Sequence, residues 1–307
     1  MPLPLANPSA PSQTCAKASA PIPHAPLHAP ALIRYWHLAS LDAPTVAIAW
    51  SLAFAWAAAV HLPAWVPLLL ALGTFTVYIG DRLLDARAAL RSGAVHTLRD
   101  RHFFHWRHRR LLATLAGLSA IAAAALLFTL VPVVTRERDS VLAAAALAYF
   151  SGVHSRRPMP TRLATLHSAV PLSKEMLVGL LFTTGCVLPV FSRLHANVAL
   201  SSRLWPLLSA ALFFAAIAWL NCHAIDRWET ATPSRIIAAA SLLALAGLSL
   251  ACALASAQPR LAALFIAGSA SALLLALLHR SRTRLTPLAL RAAADLALLT
   301  PLLLLAR

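Results

Sequence analysis

Long apolar segments alternate with short polar and basic segments along most of this chain. Runs rich in Ala and Leu recur, each near the roughly 20 residues that an α-helix needs to cross a hydrocarbon core of about 30 Å. Short segments of alternating polarity, typical of membrane β-strands, are not visible. The pattern predicts an all-α membrane protein with nine spans. They are 44–62, 64–83, 111–134, 139–154, 172–192, 204–225, 236–256, 260–279 and 286–306.

The distribution of basic residues predicts how these spans are oriented. If the N-terminus is cytoplasmic, most of the 26 Lys and Arg residues fall in cytoplasmic segments, above all between the second and third spans. Such an excess is typical of cytoplasmic loops. The strong preference for Arg over Lys, together with abundant Ala and Leu, indicates a bacterial composition. We therefore expect a bacterial inner-membrane protein with an inside N-terminus and an outside C-terminus.

Composition narrows the possible classes of protein. The chain is 60% hydrophobic and only 12% charged, far more apolar than a soluble domain of this length requires. Its net charge of +16 is not accompanied by a nucleic-acid recognition motif, so we assign the basic loops to contact with anionic lipid. Residues 1–33 are rich in Pro and Ala and are predicted to form a disordered cytoplasmic tail. Residues 34–307 form the predicted transmembrane domain.

Four of the ten acidic residues fall into two pairs at the ends of spans. Asp81 and Asp85 follow the second span, and Asp226 and Glu229 follow the sixth, with Asn221 one helical turn deeper. Each pair has the spacing that places both side chains on one helical face. Carboxylates at a membrane boundary are costly unless a cation or basic groups neutralise them, and Mg²⁺ prefers such oxygen ligands. The pairs predict a cytoplasmic site for a metal-bound diphosphate.

These pairs resemble the two Asp-rich motifs of the UbiA family of intramembrane prenyltransferases. Asp81 and Asp85 match the two aspartates of the first motif, Asn-x3-Asp-x3-Asp. Asp226 matches the leading aspartate of the second motif, and Glu229 falls near its trailing acid. The resemblance covers about residues 34–306 and implies a UbiA-like bundle of nine helices.

A basic stretch after the fourth span extends the resemblance. Tyr149 followed by Arg156 and Arg157 is similar to the tyrosine and basic pair that precede the fifth helix of the family. This chain departs from the family at Val77, where the first motif of the family has asparagine. At the second motif this chain has Asn221, Asp226 and Glu229 instead of Asp-x3-Asp.

The resemblance implies transfer of a prenyl group from a prenyl diphosphate to a lipophilic acceptor within the membrane. Mg²⁺ would bridge the acidic residues to the diphosphate, and basic side chains would neutralise the leaving group. A quinone ring precursor, a haem, a chlorophyll-like alcohol and a sugar phosphate are all open as acceptors. The implied catalytic and metal-binding residues are Asp81, Asp85, Asp226 and Glu229. The implied substrate-binding residues are Asn221, Arg82, Arg156, Arg157, Lys174 and Arg227.

Three other functions compete with prenyl transfer. The altered motifs favour a non-catalytic member of the family that binds lipid or isoprenoid. A transporter is less favoured, because the ionisable residues gather at one face instead of the midplane and no inverted repeat is evident. A phosphotransferase acting on nucleotide-linked alcohols would need further aspartates downstream of Asp85, and Ala86 and Arg87 follow instead.

Two further polar groupings carry hypotheses of their own. His102, His105 and His108 recur every three residues in a basic, aromatic stretch. This pattern favours an interfacial helix on the lipid headgroups, with a lid over the diphosphate or a bound zinc or haem as alternatives. Arg291 and Asp295 are four residues apart in the ninth span, which predicts that they pair within the bundle or line its cavity.

Overall fold

The computed structural model describes residues 27–93, 98–137, 173–194, 200–230 and 232–306, with single helical positions at 140, 141, 144 and 148. The secondary structure in these ranges is helical, apart from one isolated parallel β-bridge between Leu27 and Leu285. The helices are α1 Ala31–Leu38, α2 Asp42–Ala58, α3 Trp65–Ser92, α4 Asp100–Arg107, α5 Arg109–Leu130, α6 Lys174–Phe191, α7 Leu200–Thr230, α8 Ile236–Leu254, α9 Pro259–Ser281, α10 Pro287–Ala297 and α11 Leu302–Leu305.

Six helices in the described ranges are long and apolar enough to cross a membrane, namely α3 and α5 to α9. The pair α1 and α2 would add a seventh span, although it is bent by 89° at the break between the two helices. The prediction of an all-α membrane protein is confirmed, while the count of nine spans stays a prediction. Most of the fourth predicted span, 139–154, lies outside the described residues.

The ninth predicted span, 286–306, is broken into α10 and α11 by a turn. The indole Nε1 of Trp50 donates to the carbonyl oxygen of Leu298 at 2.8 Å, and the Thr300 hydroxyl donates to the carbonyl oxygen of Ala267 at 2.7 Å. The first contact satisfies a backbone carbonyl at the break, as an apolar bundle requires, and the second fastens the turn to α9. Side chains of α2 and the turn itself therefore stabilise a break that hydropathy alone does not reveal.

The core of the bundle is built from aromatic side chains around α2. Trp50 stacks on Phe214 of α7, with ring centroids 3.8 Å apart and planes inclined by 17°. Phe54 of α2 and Phe265 of α9 are fully buried beside them. Because α2 packs against α3, α6 and α9, it is the central helix of the described bundle, and its polar N-terminal end lies deep within the protein.

The outer helices expose apolar side chains that suit a lipid environment. Leu118 and Ile121 on α5, and Leu242 and Leu245 on α8, are each well exposed at the surface of the bundle. In water such surfaces would promote association, whereas acyl chains cover them without cost. These faces support the assignment of α5 and α8 as membrane spans.

Charged side chains join several helices at one end of the bundle, which we call the arginine end. Arg101 of α4 and Arg291 of α10 both contact Glu229 near the end of α7. At the opposite end, Arg260 at the start of α9 donates to the carbonyl oxygen of Trp56 near the end of α2. The structure thus separates a densely charged end from one with few charges among the described residues.

Candidate functional site

The arginine end contains a cavity of about 830 Å³. It is bounded by α4, the end of α7 with the loop that follows, the end of α9 and the start of α10. Its charged lining residues are Arg99, Asp100, Arg101, Arg227, Glu229, Arg282 and Arg291. Five guanidinium groups against two carboxylates give the cavity a net positive charge, which favours an anionic ligand.

Glu229 is the shared partner of three of these arginines. Its Oε1 accepts from Arg101 Nη1 at 2.9 Å and also from Arg291 Nη1, and its Oε2 lies 3.8 Å from Arg99 Nε. Arg99 Nη2 also donates to the backbone carbonyl oxygen of Glu229 at 3.2 Å. One carboxylate neutralises one positive charge, so two of the three guanidinium charges at this point remain uncompensated by it.

The environment of Arg101 reflects this crowding of positive charge. Burial, and after it the nearby Arg291 guanidinium, lowers the pKa of Arg101 to about 10, while Glu229 acts in the opposite direction. The side chain is still protonated at neutral pH, because its pKa lies well above 7. An anion entering the cavity would relieve the repulsion among the arginines, which is the electrostatic condition for binding phosphate groups.

Trp228 and Arg227 form another wall of the cavity. The indole Nε1 of Trp228 donates to Nδ1 of His279 at 2.9 Å, which fixes the end of α7 against the end of α9. Arg227 Nη1 donates to the Thr232 hydroxyl at 3.1 Å, and its Nε makes no hydrogen bond to any described residue. This Nε is buried, so any contact of Arg227 with a ligand in the cavity would come from its Nη groups.

A second polar cluster lies deeper, where α1, α2, α7 and α10 meet. His37 Nδ1 lies 2.7 Å from Asp42 Oδ2 and 3.2 Å from Asp295 Oδ2. The side-chain amide of Asn221 donates to Asp295 Oδ1 at 3.2 Å, and Arg82 Nη2 lies 3.6 Å from Asp42 Oδ2. His37 also lines the cavity, so this cluster borders the base of the arginine-lined site.

The predicted interfacial helix, α4, turns two of its histidines into the protein instead of laying them on headgroups. His102 is 7% exposed and His105 is fully buried, whereas Phe103 points outward. Burial and the arginines around them, Arg101 for His102 and Arg82 for His105, lower the pKa of His102 to about 3 and that of His105 to about 4. Both imidazoles are therefore neutral at pH 7.

The hydrogen bonds of these histidines agree with the neutral form. Nδ1 of His105 lies 2.7 Å from the carbonyl oxygen of Arg101, which can only accept, so His105 donates there and its Nε2 accepts from the Ser40 hydroxyl at 3.1 Å. Nδ1 of His102 accepts from the backbone N–H of Arg99 at 3.1 Å. The His105–Ser40 contact joins α4 to the turn between α1 and α2, whereas the His102 contact caps the start of α4 itself. Within the described ranges, His102, His105 and His108 do not form a three-ligand metal group.

The four predicted acidic residues have different surroundings. Helix α3 continues through Asp81 and Asp85, as their proposed common face requires, and both are half-buried. Asp226 is exposed near the end of α7, and Glu229 is held by arginines. Among the described residues, only Glu229 of the four lines the cavity.

The predicted substrate-binding residues also lie in different parts of the structure. Arg227 lines the cavity, whereas Arg82 is 4% exposed and is directed to Asp42 and to the backbone of His37. Asn221 is buried beside Asp295, and Lys174 is exposed at the start of α6; neither is among the residues that line the cavity. Arg156 and Arg157, together with Tyr149, lie outside the described residues.

Sequence reasoning missed several residues of this site. The expected pairing of Arg291 with Asp295 is replaced by two longer-range contacts, Arg291 with Glu229 and Asp295 with His37. His37 and Asp42 were not singled out, although two ionisable residues five positions apart at the start of an apolar segment are a signal that could have marked them. Arg99, Arg101 and Arg282 carried no signal beyond general basicity.

Comparison of the chain with models of known protein families, with curated proteins and with solved structures gives no match.

Proposed function

We propose that this protein is an intramembrane transferase that binds a prenyl diphosphate and transfers its prenyl group to a lipophilic acceptor. The observation that carries the proposal is the arginine-lined cavity at the end of an apolar helical bundle. Such an arrangement matches the two parts of the substrate, because the diphosphate needs positive charge and the isoprenoid needs an apolar environment. The resemblance of Asp81, Asp85 and Asp226 to the UbiA motifs supports the same substrate class.

The dimensions and charge of the cavity suit the diphosphate group. Its volume of about 830 Å³ falls in the range usual for small-molecule sites. Arg101 and Arg291 share a single carboxylate, and their planar guanidinium groups match phosphate oxygens in pairs. The arginines would hold the diphosphate at the arginine end while the prenyl chain extends along the apolar helices.

The proposed reaction uses the arginines as electrostatic partners of the leaving group. The allylic C–O bond of the prenyl diphosphate breaks, and its electron pair stays on the diphosphate, where Arg101, Arg227 and Arg291 stabilise the added negative charge. The acceptor then forms a bond to the allylic carbon and releases one proton. The apolar bundle excludes water, which would otherwise add to the allylic cation that forms when the C–O bond breaks.

The residues predicted to bind Mg²⁺ fit that role to different degrees. Asp81 and Asp85 have the required spacing on α3, and Asp226 is accessible at the end of α7. Glu229 does not fit, because both of its carboxylate oxygens face guanidinium groups that an arriving cation would have to displace. We therefore keep Asp81, Asp85 and Asp226 as proposed Mg²⁺ ligands and assign Glu229 to the organisation of the arginines. When bound, Mg²⁺ would supply further positive charge at the arginine end. Its three proposed ligands do not line the cavity, so the arginines are the groups proposed to contact the diphosphate.

Binding of a fluorescent prenyl diphosphate to the purified full chain in lipid nanodiscs tests the proposal. We expect binding in Mg²⁺, and a loss of affinity of about tenfold or more in Arg101→Gln and in Arg291→Gln. Arg260→Gln is the matched control, since Arg260 lies at the opposite end of the bundle. Release of inorganic diphosphate on adding lipid extracts would report turnover. An absence of binding by folded protein across several prenyl chain lengths, or equal binding by all three variants, would refute the proposal.

A second candidate is a non-catalytic membrane protein that binds a lipid or isoprenoid phosphate in the same cavity. The engagement of Glu229 by arginines favours it, because one of the predicted metal ligands is already occupied. The two candidates differ in one measurable respect. The enzyme releases diphosphate from a bound prenyl diphosphate when an acceptor is present, whereas the binding protein retains the substrate intact.

A further inference from the structure

A buried group of three possible metal ligands is the strongest feature that the proposed prenyl transfer does not use. His37 and Asp42 are 1% and 3% exposed, and Asp295 is partly buried beside them. One ligand atom from each lies within 4.8 Å of the other two. Among the described residues, one group of three His, Cys, Asp or Glu side chains meets this distance condition, and it is this one. None of its members is among the acids predicted to bind Mg²⁺.

Both carboxylates are anchored through one oxygen and direct the other to the same imidazole nitrogen. Asp42 Oδ1 accepts from the backbone N–H of Ala43 at 2.9 Å, which leaves Oδ2 facing His37. Asp295 Oδ1 accepts from the Asn221 amide at 3.2 Å, which likewise leaves Oδ2 facing His37. Hydrogen bonds that orient ligand carboxylates in this way are typical of metal sites.

Two buried atoms in this cluster lack hydrogen-bond partners among the described residues. His37 Nδ1 is close to both Oδ2 atoms, yet neither contact has hydrogen-bond geometry, and Asn221 Oδ1 is also unpartnered. Asn221 is 5% exposed, and its amide already contacts Asp295, so its oxygen belongs to the same cluster. Buried polar atoms without partners are costly, and an ion bound to His37 Nδ1 would give that atom a partner.

The spacing of the three ligand atoms suits one small ion. Ligand atoms about 2.1 Å from a common zinc ion are roughly 3.0–3.4 Å from one another. The 3.2 Å separation of Nδ1 from Asp295 Oδ2 is of this size, whereas the 2.7 Å separation from Asp42 Oδ2 is shorter and would have to open by a few tenths of an ångström when the ion binds. An imidazole nitrogen with two carboxylates is a donor set of transition ions, whereas Mg²⁺ prefers oxygen ligands and water.

We propose that His37, Asp42 and Asp295 bind one divalent transition-metal ion, such as Zn²⁺, at the base of the arginine-lined cavity. His37 is the member of the group that also lines the cavity, so the ion would enter from that side. Arg82 Nη2 lies 3.6 Å from Asp42 Oδ2, the oxygen proposed to bind the ion, so this single guanidinium would have to move away as the ion enters. The competing arrangement is a closed ion network in which a protonated His37 bridges the two carboxylates and no metal binds.

Metal binding by the tag-free full chain in detergent distinguishes these arrangements. Protein stripped with a chelator and reloaded with Zn²⁺ should retain one ion per chain after desalting, as measured by elemental mass spectrometry. Competition with a chelator of known affinity should show at least about 100-fold weaker binding in His37→Gln and in Asp295→Asn. The matched controls are His61→Gln and Glu137→Gln, which replace exposed residues outside the cluster and should bind as the unmodified chain does.

X-ray absorption at the zinc edge tests the site without any substitution, in case a variant fails to fold. The proposal requires one imidazole and otherwise oxygen ligands. Two or more imidazoles would place the ion on the histidine-rich α4 and overturn the proposal, as would sulfur ligands. Two other results would also overturn the proposal and leave the closed ion network. One is that the protein retains no Zn²⁺ at a free concentration of about 10 µM, and the other is that both cluster variants bind Zn²⁺ as tightly as the unmodified chain. None of these outcomes depends on whether a prenyl diphosphate binds.

Discussion

Glu229 is the residue on which three arginine side chains of the cavity converge. The sequence placed it in an acidic motif for Mg²⁺, but its contacts make it the counter-ion of Arg101 and Arg291. A carboxylate that accepts from several guanidinium groups is displaced from them only at an electrostatic cost. At the residue scale, its role is therefore to hold a cluster of like charges together.

The substitution Glu229→Gln separates these two roles. We expect it to destabilise the folded protein by about 1–3 kcal/mol, because the arginines lose their common counter-ion. We also expect the affinity for inorganic diphosphate, measured in EDTA by calorimetry, to rise about threefold or more, because the cavity becomes more positive. Glu137→Gln is an exposed control. A loss of diphosphate binding seen only in Mg²⁺ would instead return Glu229 to the metal ligands.

His102 and His105 predict how stability depends on pH. Their pKa values in the folded protein, about 3 and about 4, lie below the ordinary value of 6.5. Below pH 6.5 the unfolded chain binds protons that the folded protein does not, so stability is fully present above that pH. It falls as the pH decreases towards 4, by at most about 1.4 kcal/mol per pH unit for each histidine.

Thermal unfolding at pH 7.5 and pH 5.0 measures this dependence. His105→Gln should lower Tm at pH 7.5, because the contacts with Ser40 and the Arg101 carbonyl are weakened, but it should reduce the further drop on acidification. His61→Gln, at an exposed position between α2 and α3, serves as the control. An unchanged drop between the two pH values in His105→Gln would contradict the assignment of a neutral buried imidazole.

At the scale of elements, α6 and α7 approach each other closely at Gly179. A Cβ atom there would lie 3.0 Å from the backbone nitrogen of Trp219 and 3.1 Å from the carbonyl oxygen of Ala215. Backbone atoms cannot move aside as a flexible side chain can, so the helices would have to separate. Small residues at such positions are the usual means by which membrane helices pack closely.

A matched pair of alanine substitutions on α6 tests this contact. Gly179→Ala should destabilise the protein by about 1–3 kcal/mol through overpacking, measured as a lower Tm in detergent. Gly185→Ala, where the added Cβ meets no atom within 4 Å, should be neutral or stabilising by up to about 1 kcal/mol, because alanine favours the helix. Equal effects of the two substitutions would show that α6 and α7 do not pack as described.

At the scale of the whole molecule, charge is concentrated at the arginine end. The five arginines of the cavity lie there, and the opposite end, near Arg260 and Trp56, has few charges among the described residues. Since basic segments of membrane proteins are retained in the cytoplasm, this asymmetry predicts a cytoplasmic arginine end. The α8 helix then carries the chain across the membrane, over 19 residues or about 28 Å.

Single cysteines in a chain without its natural cysteines test this orientation. Thr232 lies at the arginine end, and Ser256 follows α8 at the opposite end; both are exposed. A membrane-impermeant maleimide applied to intact spheroplasts should label Ser256→Cys, and should label Thr232→Cys only after permeabilisation. His61→Cys should be labelled in intact spheroplasts, as Ser256→Cys is. Labelling of Thr232→Cys in intact spheroplasts, with Ser256→Cys labelled only after permeabilisation, would contradict the predicted orientation.

The sequence by itself determined the helical class, the membrane location and the approximate bounds of most helices. The segment predicted at 172–192 is found as Lys174–Phe191, and that at 236–256 as Ile236–Leu254. Apolar length and composition can be read from a short stretch of sequence. Because unpaired backbone groups are costly in lipid, such a stretch forms a helix, which pairs these groups internally. For the same reason the pairs Asp81–Asp85 and Asp226–Glu229 were placed on helices from spacing alone.

Only the tertiary structure decided which polar groups meet. Asp295 contacts His37 and Asn221 instead of Arg291, four residues away, and Glu229 gathers arginines from α4 and α10. The break between α10 and α11 likewise depends on partners in α2 and α9. Such contacts join residues far apart in the chain, and their energies depend on burial and geometry that helix packing creates. Spacing in the sequence defines what one helix presents, but not which helix lies opposite.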